Sequence, residues 1–136
     1  MNQDLDLGFN IKPMNLEDFL KSQNYTPRMI PSIANQSNPP LKYFTYDPAQ
    51  GIWPMLFYYP DYSSEKITFP DWKKEGYNIV SLLNISFTLD PSGEKESIRL
   101  AKEILKTYPG TVLFNPRTRK FSTNSNTHIP SSALLI

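Results

Sequence analysis

Residues 77–115 follow a strand–helix–strand pattern, and this pattern constrains the fold more than any other part of the chain. Asp90 is a favourable N-cap residue, and Pro109 with Gly110 would end the helix that follows. The helix has one apolar face, formed by Ile98, Ala101, Ile104, Leu105 and Tyr108. Strand-forming residues stand on both sides of the helix, so the pattern predicts a β-α-β unit with a right-handed crossover.

The strand predicted at residues 77–89 contains a phase shift. Ile79 and Leu83 share one side of the alternation, whereas Val80 and Leu82 lie on the other. A β-bulge moves the alternation by one residue. We therefore expect a bulge near Leu82 and Leu83.

A second β-α unit is predicted near the N-terminus. Alternating apolar residues at 5–11 indicate a strand. Asn15 is a candidate N-cap for a short helix ending near Gln23, and Met14 with Phe19 would form a hydrophobic staple around the cap.

The two units flank a predicted hairpin. Residues 42–46 and 52–59 favour strands, and residues 47–51 have the composition of a turn. Pro54 places the second strand at a sheet edge or starts it after that residue. Together the elements predict an α+β fold: a single, mainly antiparallel sheet with two helices packed on one face, in a ferredoxin-like arrangement.

The domain organisation follows from length and local composition. A chain of 136 residues fits one domain, which we place at residues 1–121. Residues 24–40 form a Pro-rich loop, expected to be an ordered strap across the surface. Residues 122–136 form a polar C-terminal tail that ends in four apolar residues.

The composition restricts the functional classes. The chain has no cysteine, which removes disulfide scaffolds and thiol chemistry. Its formal net charge is +1, whereas nucleic-acid-binding proteins usually carry a clear basic excess. The N-terminus does not have the pattern of a secretory signal, and no apolar stretch is long enough for a membrane helix. We therefore expect a cytoplasmic protein with no membrane partner.

No constellation for catalysis, metal binding or cofactor binding is evident in the sequence. His128 is the only histidine, in the polar tail with no acid close in sequence. Asp4 and Asp6 share the polar side of a strand and are expected to face solvent. The other adjacent acids stand where helices begin, which the helix dipole explains. We therefore expect no enzymatic activity, no metal and no cofactor.

Aromatic residues between positions 53 and 77 are the main candidates for binding a partner, since Trp and Tyr are enriched at interface hot spots. The competing interpretation is that most of them fill the core. Adjacent Tyr58 and Tyr59 would point to opposite faces of a strand, so one must leave the main core. The predicted partner-binding aromatics are Trp53, Tyr58, Tyr59, Tyr62 and Trp72.

A basic turn is the second candidate surface. Arg117, Arg119 and Lys120 stand between two short predicted strands. They could contact phosphate or an acidic protein surface, or form a solvated turn. Arg117 and Arg119 complete the predicted partner-binding set.

The segments SFTLD at residues 86–90 and PGTVLFN at residues 109–115, with a helix between them, resemble a group of bacterial immunity proteins. These proteins belong to contact-dependent and polymorphic toxin systems. The resemblance covers about a quarter of the chain. It implies a small cytoplasmic protein that binds a cognate toxin domain and neutralises it by occlusion.

Two other functions remain open from the sequence. One is a small nucleic-acid-binding or ribonucleoprotein accessory domain, using the turn at residues 117–120 with exposed aromatics on a sheet. The other is an enzyme that uses carboxylates alone. An immunity-type inhibitor is the function we expect.

Overall fold

The structure is a computed structural model, and it describes residues 2–29, 43–45, 54–62, 71–88 and 90–123. Its strands are β1 (Asn2–Phe9), β2 (Pro27–Met29), β3 (Tyr43–Thr45), β4 (Met55–Tyr59), β5 (Ser81–Thr88), β6 (Val112–Asn115) and β7 (Lys120–Thr123). Helix α1 (Leu16–Ser22) follows β1, and α2 (Pro91–Thr107) connects β5 to β6. The described strands form one sheet in the order β2-β3-β4-β5-β1-β6-β7.

Every strand pair in this sheet is antiparallel, which confirms the predicted α+β fold with a mainly antiparallel sheet. Strands β5 and β6 both pair with β1, so α2 joins two parallel strands that have β1 between them. The inner order β4-β5-β1-β6 is the order of the ferredoxin-like arrangement. Strands β2 and β3 extend this core at one edge and β7 at the other.

Both helices pack on one face of the sheet, as the sequence predicts. Leu16 and Leu20 of α1 and the apolar face of α2 share one core with buried residues of β1, β4, β5 and β6. Asp90 caps α2, because its side chain accepts a 2.9 Å hydrogen bond from the backbone N–H of Gly93. The buried apolar residues of α2 are Ile98, Leu100, Ala101, Ile104 and Leu105.

A second apolar cluster covers part of the opposite face. It contains Tyr62, Trp72, Ile79, Leu82, Val112 and Phe114, with Tyr59, Tyr77 and Phe121 partly buried against it. Residues 71–79 supply much of the cover, so this end of the sheet is buried on both faces. We refer to this set as the second cluster.

The predicted bulge near Leu82 and Leu83 is wrong. The register between β1 and β5 is continuous from the pair Asn2–Thr88 to the pair Phe9–Ser81. Leu83 lies in the main core, whereas Leu82 lies in the second cluster. Adjacent apolar residues occur here because both faces are covered, and no shift of phase is needed.

The predicted start of α1 is also wrong in detail. Asn15 has a left-handed backbone (φ 57°), and its side chain makes no capping hydrogen bond. A side-chain cap requires the extended backbone that N-cap residues usually adopt. Met14 is 79% exposed, so the staple to Phe19 does not form. Phe19 packs instead against Tyr108, with ring centroids 5.5 Å apart.

The predicted hairpin is confirmed by the antiparallel pairing of β3 with β4. Strand β4 begins directly after Pro54 and lies between β3 and β5, so the proline starts the strand and does not place it at an edge. The predicted turn at residues 47–51 lies outside the described residues.

Two predicted boundaries change. Strand β2 lies within the predicted loop at residues 24–40, most of which is outside the described part of the chain. Strand β7 ends at Thr123, so the boundary after residue 121 falls inside this strand. The remaining tail, residues 124–136, is not described. No helix among the described residues is long and apolar enough to cross a membrane.

Candidate protein-binding surface

A cleft of about 390 Å³ lies between the connection from β1 to α1 and the end of β4. One wall is the connection itself, with Lys12, Pro13 and Asn15, and the first turn of α1. The other wall is Tyr58 and Pro60. The cleft exists because β1 ends at Phe9, which leaves a six-residue connection before α1 that faces the end of a strand two positions away in the sheet.

Tyr58 forms a buried side of this cleft and is only 5% exposed. Burial raises the pKa of its phenol, and the Ser81 hydroxyl and the Lys12 ammonium oppose this rise. Asp61 raises the pKa further through its charge. The phenol is therefore protonated and neutral at physiological pH.

An ion pair lies at the rim of the cleft. Lys12 Nζ is 3.0 Å from Asp61 Oδ1, and the two side chains are 59% and 65% exposed. Exposed pairs of this kind contribute about 0–1 kcal/mol. The pair joins the two walls and can separate at little cost when a competing charge arrives.

Two large apolar side chains project from the same connection. Ile11 is 74% exposed and Met14 is 79% exposed, although the sequence predicted both in buried positions. The backbone at Met14 is linked to the end of α2, because the Tyr108 hydroxyl donates a 3.0 Å hydrogen bond to the Met14 carbonyl. Single exposed apolar residues are common, and these two are distinguished by belonging to the connection that supplies Lys12, Pro13 and Asn15 to the cleft. We refer to Ile11, Met14 and the cleft as the rim surface.

The structure separates the predicted partner-binding aromatics. Tyr58 points to the helix side and Tyr59 to the opposite side, which confirms the predicted division. Tyr62 and Trp72 are 7% and 1% exposed, so they are interior residues of the second cluster. Trp53 lies outside the described residues. Among the four predicted aromatics that the structure describes, Tyr58 is the one that lines the cleft.

Trp72 illustrates why these aromatics are interior. Its indole Nε1 donates a 3.0 Å hydrogen bond to the Tyr62 hydroxyl. Its ring packs edge-on against Phe114 and Phe121, with centroids 6.1 and 5.5 Å apart. Both its polar atom and its ring are used within the fold, so it offers little to a partner.

The basic turn lies between β6 and β7, at one edge of the sheet. Arg117, Arg119 and Lys120 are all exposed. Arg119 has a left-handed backbone (φ 58°), and its N–H bonds to the Asn115 carbonyl at 2.7 Å. The turn is therefore a defined cationic projection, remote in the sheet order from β4 and the cleft.

The sequence did not identify one polar group on the face opposite the helices. Asp4 is exposed, but Asp6 is half-buried, contrary to the expectation that both acids face solvent. Burial raises the pKa of Asp6 to about 6, while a hydrogen bond from Asn84 opposes the rise and the Asp4 charge adds to it. Asn84 and Asp6 lie 78 residues apart in the sequence, and no local pattern around either residue indicates that they pair across β5 and β1.

No group of three or more His, Cys, Asp or Glu side chains in the described part of the chain is arranged to hold a metal ion. His128 lies outside the described residues. The arrangement around the cleft provides shape, apolar area and charge for binding.

Comparisons with protein-family models, with curated proteins and with solved structures found no match to this chain.

Proposed function

We propose that this protein is an immunity-type inhibitor that binds a cognate bacterial toxin domain in the cytoplasm and neutralises it by occlusion. The observation that supports the proposal is the rim surface, where two exposed apolar residues belong to the connection that forms one wall of a cleft. Inhibition by occlusion needs such a surface and no reactive group.

The resemblance to immunity proteins supports the proposal from the sequence. The segment that carries it, residues 86–115, contains the end of β5, all of α2 and β6. This unit is the central β-α-β element of the sheet and supplies much of the main core. The resemblance therefore concerns the scaffold of the fold. The rim surface lies outside the resembling segment, on the connection from β1 to α1.

The structure offers less for a nucleic-acid-binding function. The cationic turn at Arg117, Arg119 and Lys120 is exposed, but the aromatic rings nearest in the fold belong to the second cluster. Trp72 and Phe114 are 1% and 2% exposed. Phe121, next to Lys120, is partly buried, and its ring packs against the rings of Trp72, Tyr77 and Phe114. Sequence-tolerant binding of single strands requires accessible ring faces for stacking. A protein partner agrees better with the described surface.

The proposal is tested by purifying the protein with the toxin domain encoded beside it. We expect co-elution on size exclusion and protection of cells that express the toxin. Ile11→Asp and Met14→Asp should each weaken the complex at least tenfold, because they place a charge in the apolar part of the interface. Lys74→Asp is the matched control, since Lys74 is exposed on the segment that covers the opposite face.

Two results would reject the proposal. The first is the absence of any complex and of any protection. The second is a complex that Lys74→Asp weakens as much as the two rim variants do. Strong binding of single-stranded RNA or DNA at low salt, abolished by Arg117→Ala with Arg119→Ala, would favour the nucleic-acid alternative instead.

A further inference from the structure

Strand β7 lies at one end of the described sheet, next to β6. A strand in this position directs half of its backbone N–H and C=O groups away from its neighbour, and an extended peptide can pair with them. Lys120 is exposed, and Phe121 and Ser122 are partly buried, so part of the strand is accessible. We refer to the outer side of β7 as the β7 edge.

The β7 edge is preformed. The ring of Phe121 packs against three aromatic rings of the second cluster, with centroids 4.8–5.5 Å apart. In the turn before β7, the Arg117 N–H donates a 3.0 Å hydrogen bond to Asn115 Oδ1, and the Arg119 N–H donates a 2.7 Å hydrogen bond to the Asn115 carbonyl. A strand that is already ordered loses little conformational entropy when a partner pairs with it.

The turn that leads into β7 carries three cations within four residues, Arg117, Arg119 and Lys120. All three are exposed, and none forms an ion pair with another described residue. Arg119 has a left-handed backbone (φ 58°), which glycine adopts at lower cost. An arginine at a position that suits glycine indicates a use for its charge. The β7 edge is therefore complementary to a strand that carries carboxylates.

Charge complementarity also decides between the possible occupants of this edge. Residues 111–136 contain no Asp or Glu, so the C-terminal segment of the chain brings no acidic side chain to the cations. A second copy that paired through its own β7 would bring the same three cations. Nucleic acid supplies phosphates, but it lacks the alternating N–H and C=O groups that pair with a sheet edge. An acidic peptide segment supplies both.

We propose that β7 pairs with an extended acidic segment of a protein partner, whose carboxylates bind Arg117, Arg119 and Lys120. Strand β7 has four residues, so the backbone hydrogen bonds are few and the charged contacts provide much of the affinity. The inference goes beyond the inhibitor function and does not depend on it, because the rim surface lies on the connection from β1 to α1 and beside β4.

The probe is the peptide acetyl-Glu-Val-Glu-Val-Glu-amide, titrated into the full chain at low salt while the amide resonances are followed by NMR. We expect saturable shifts in β7 and the preceding turn, with slower hydrogen exchange at the β7 amides that do not bond to β6. Binding should be lost at about 0.5 M salt, because exposed charges are screened.

Two control peptides separate charge from strand pairing. Lysine in place of each glutamate reverses the charge, and N-methylation of every residue keeps the carboxylates but removes the backbone donors. Each should bind at least about tenfold more weakly than the acidic peptide. Equal binding of either control, or no binding of the acidic peptide, overturns the proposal.

Arg119→Gly should weaken binding of the acidic peptide about three- to tenfold, and glycine suits the backbone at this position, so the variant should fold. Lys102→Ala is the matched control, because Lys102 is an exposed cation on α2. An equal effect of the two variants would contradict the assignment.

Hydrogen exchange of the free protein tests the other occupants. Protection of the outward β7 amides at every protein concentration would show that the chain covers its own edge, and protection that grows with concentration would show pairing of two copies. Binding of oligothymidylate without binding of the acidic peptide would show a nucleic-acid surface. Each of these results rejects the inference.

The outcomes separate this inference from the proposed function. A toxin complex without any binding of the acidic peptide removes the inference and leaves the inhibitor function standing. Peptide binding at β7 without any toxin complex removes the inhibitor function and leaves the β7 edge as a binding surface.

Discussion

The side-chain amide of Asn84 donates a 2.7 Å hydrogen bond to the carboxylate of Asp6, its direct partner across β1 and β5. The same amide lies 3.4 Å from Asp4 Oδ1. One neutral donor thus serves two acids on the sheet face opposite the helices. The hydrogen bond does not compensate for the burial of Asp6, since the pKa of this carboxyl rises from 3.8 to about 6.

Asp6→Asn should stabilise the protein at neutral pH. Because the folded pKa of Asp6 is raised, the folded state binds more protons than the unfolded state between about pH 4 and pH 6, so the Asp6 contribution to stability falls as the pH rises through this window. Above pH 6 the charge costs on the order of 1–2 kcal/mol, allowing for the water that still reaches the group. Urea unfolding at pH 7.5 should show a gain of about that size.

The gain should vanish at pH 4, where Asp6 is protonated in the fold. Glu75→Gln is the control, since Glu75 is an exposed acid and its removal should leave stability within about 0.5 kcal/mol at both pH values. A gain from Asp6→Asn that is equal at pH 4 and pH 7.5 would contradict the raised pKa.

Much of the scaffold could be predicted from local sequence because its signals are local. The Asp90 cap, the apolar face of α2 and the turn at Pro109-Gly110 lie within one continuous segment, and the structure places α2 at Pro91–Thr107. The hairpin of β3 and β4 also joins nearby residues. The β-α-β connection limits the topology, whereas the place of β1 between β5 and β6 depends on pairing between distant parts of the chain.

The surface could not be predicted in the same way. Alternation predicted Ile11 in a strand and Met14 in a staple, since periodic apolar residues are normally interior. Both are exposed because β1 ends at Phe9 and the connection that follows bends toward the end of β4. There Lys12 binds Asp61, which is 49 positions away in the sequence. Likewise, nothing near Trp72 in sequence indicates that residues 71–79 cover the second face of the sheet.

A partly buried link between the segment after α1 and helix α2 should contribute measurably to stability. The Tyr25 hydroxyl donates a 2.7 Å hydrogen bond to Glu96 Oε2, and Arg99 binds both Glu96 and the Gln23 side chain. Tyr25→Phe should cost about 1–2 kcal/mol, because a partly buried charged acceptor loses a donor. Chemical denaturation measures the loss.

A double-mutant cycle with Glu96→Gln isolates this interaction. The coupling between Tyr25→Phe and Glu96→Gln should be about 0.5–1.5 kcal/mol, since the two groups are in direct contact. Additive effects of the two substitutions would show that the hydroxyl stabilises the fold in some other way.

Two glycines with the same backbone conformation separate strain from crowding. Gly110 has φ 85° and Gly76 has φ 89°, so alanine at either position adopts an unfavourable left-handed backbone. At Gly76 nothing lies within 4 Å of an added Cβ, whereas at Gly110 the Asn10 side chain would be 2.6 Å away. Gly76→Ala should cost about 1 kcal/mol, and Gly110→Ala about 0.5 kcal/mol more, because the exposed Asn10 side chain has to rotate away.

The excess at Gly110 should disappear when Asn10 is shortened. In an Asn10→Ala background, Gly110→Ala and Gly76→Ala are expected to have the same effect on the free energy of unfolding. If Gly110→Ala keeps its larger cost in that background, the crowding by Asn10 is not its cause.

Because Gly8 has no side chain, Ile79 of the second cluster can pack directly against the backbone of β1. We expect this contact to hold the second cluster against the sheet. A Cβ at position 8 would lie 3.0–3.1 Å from three carbons of the Ile79 side chain, which is 1% exposed. Because a branched, enclosed side chain cannot move aside, Gly8→Ala should cost about 1–3 kcal/mol.

Ile79→Ala alone should cost about 2–5 kcal/mol through the cavity it leaves. The added methyl group occupies part of that cavity, so Gly8→Ala should be neutral or stabilising in the Ile79→Ala background. Thermal unfolding of the four proteins in this cycle measures the reversal, and a Gly8→Ala cost that is the same in both backgrounds would show that the packing of Ile79 does not require the glycine.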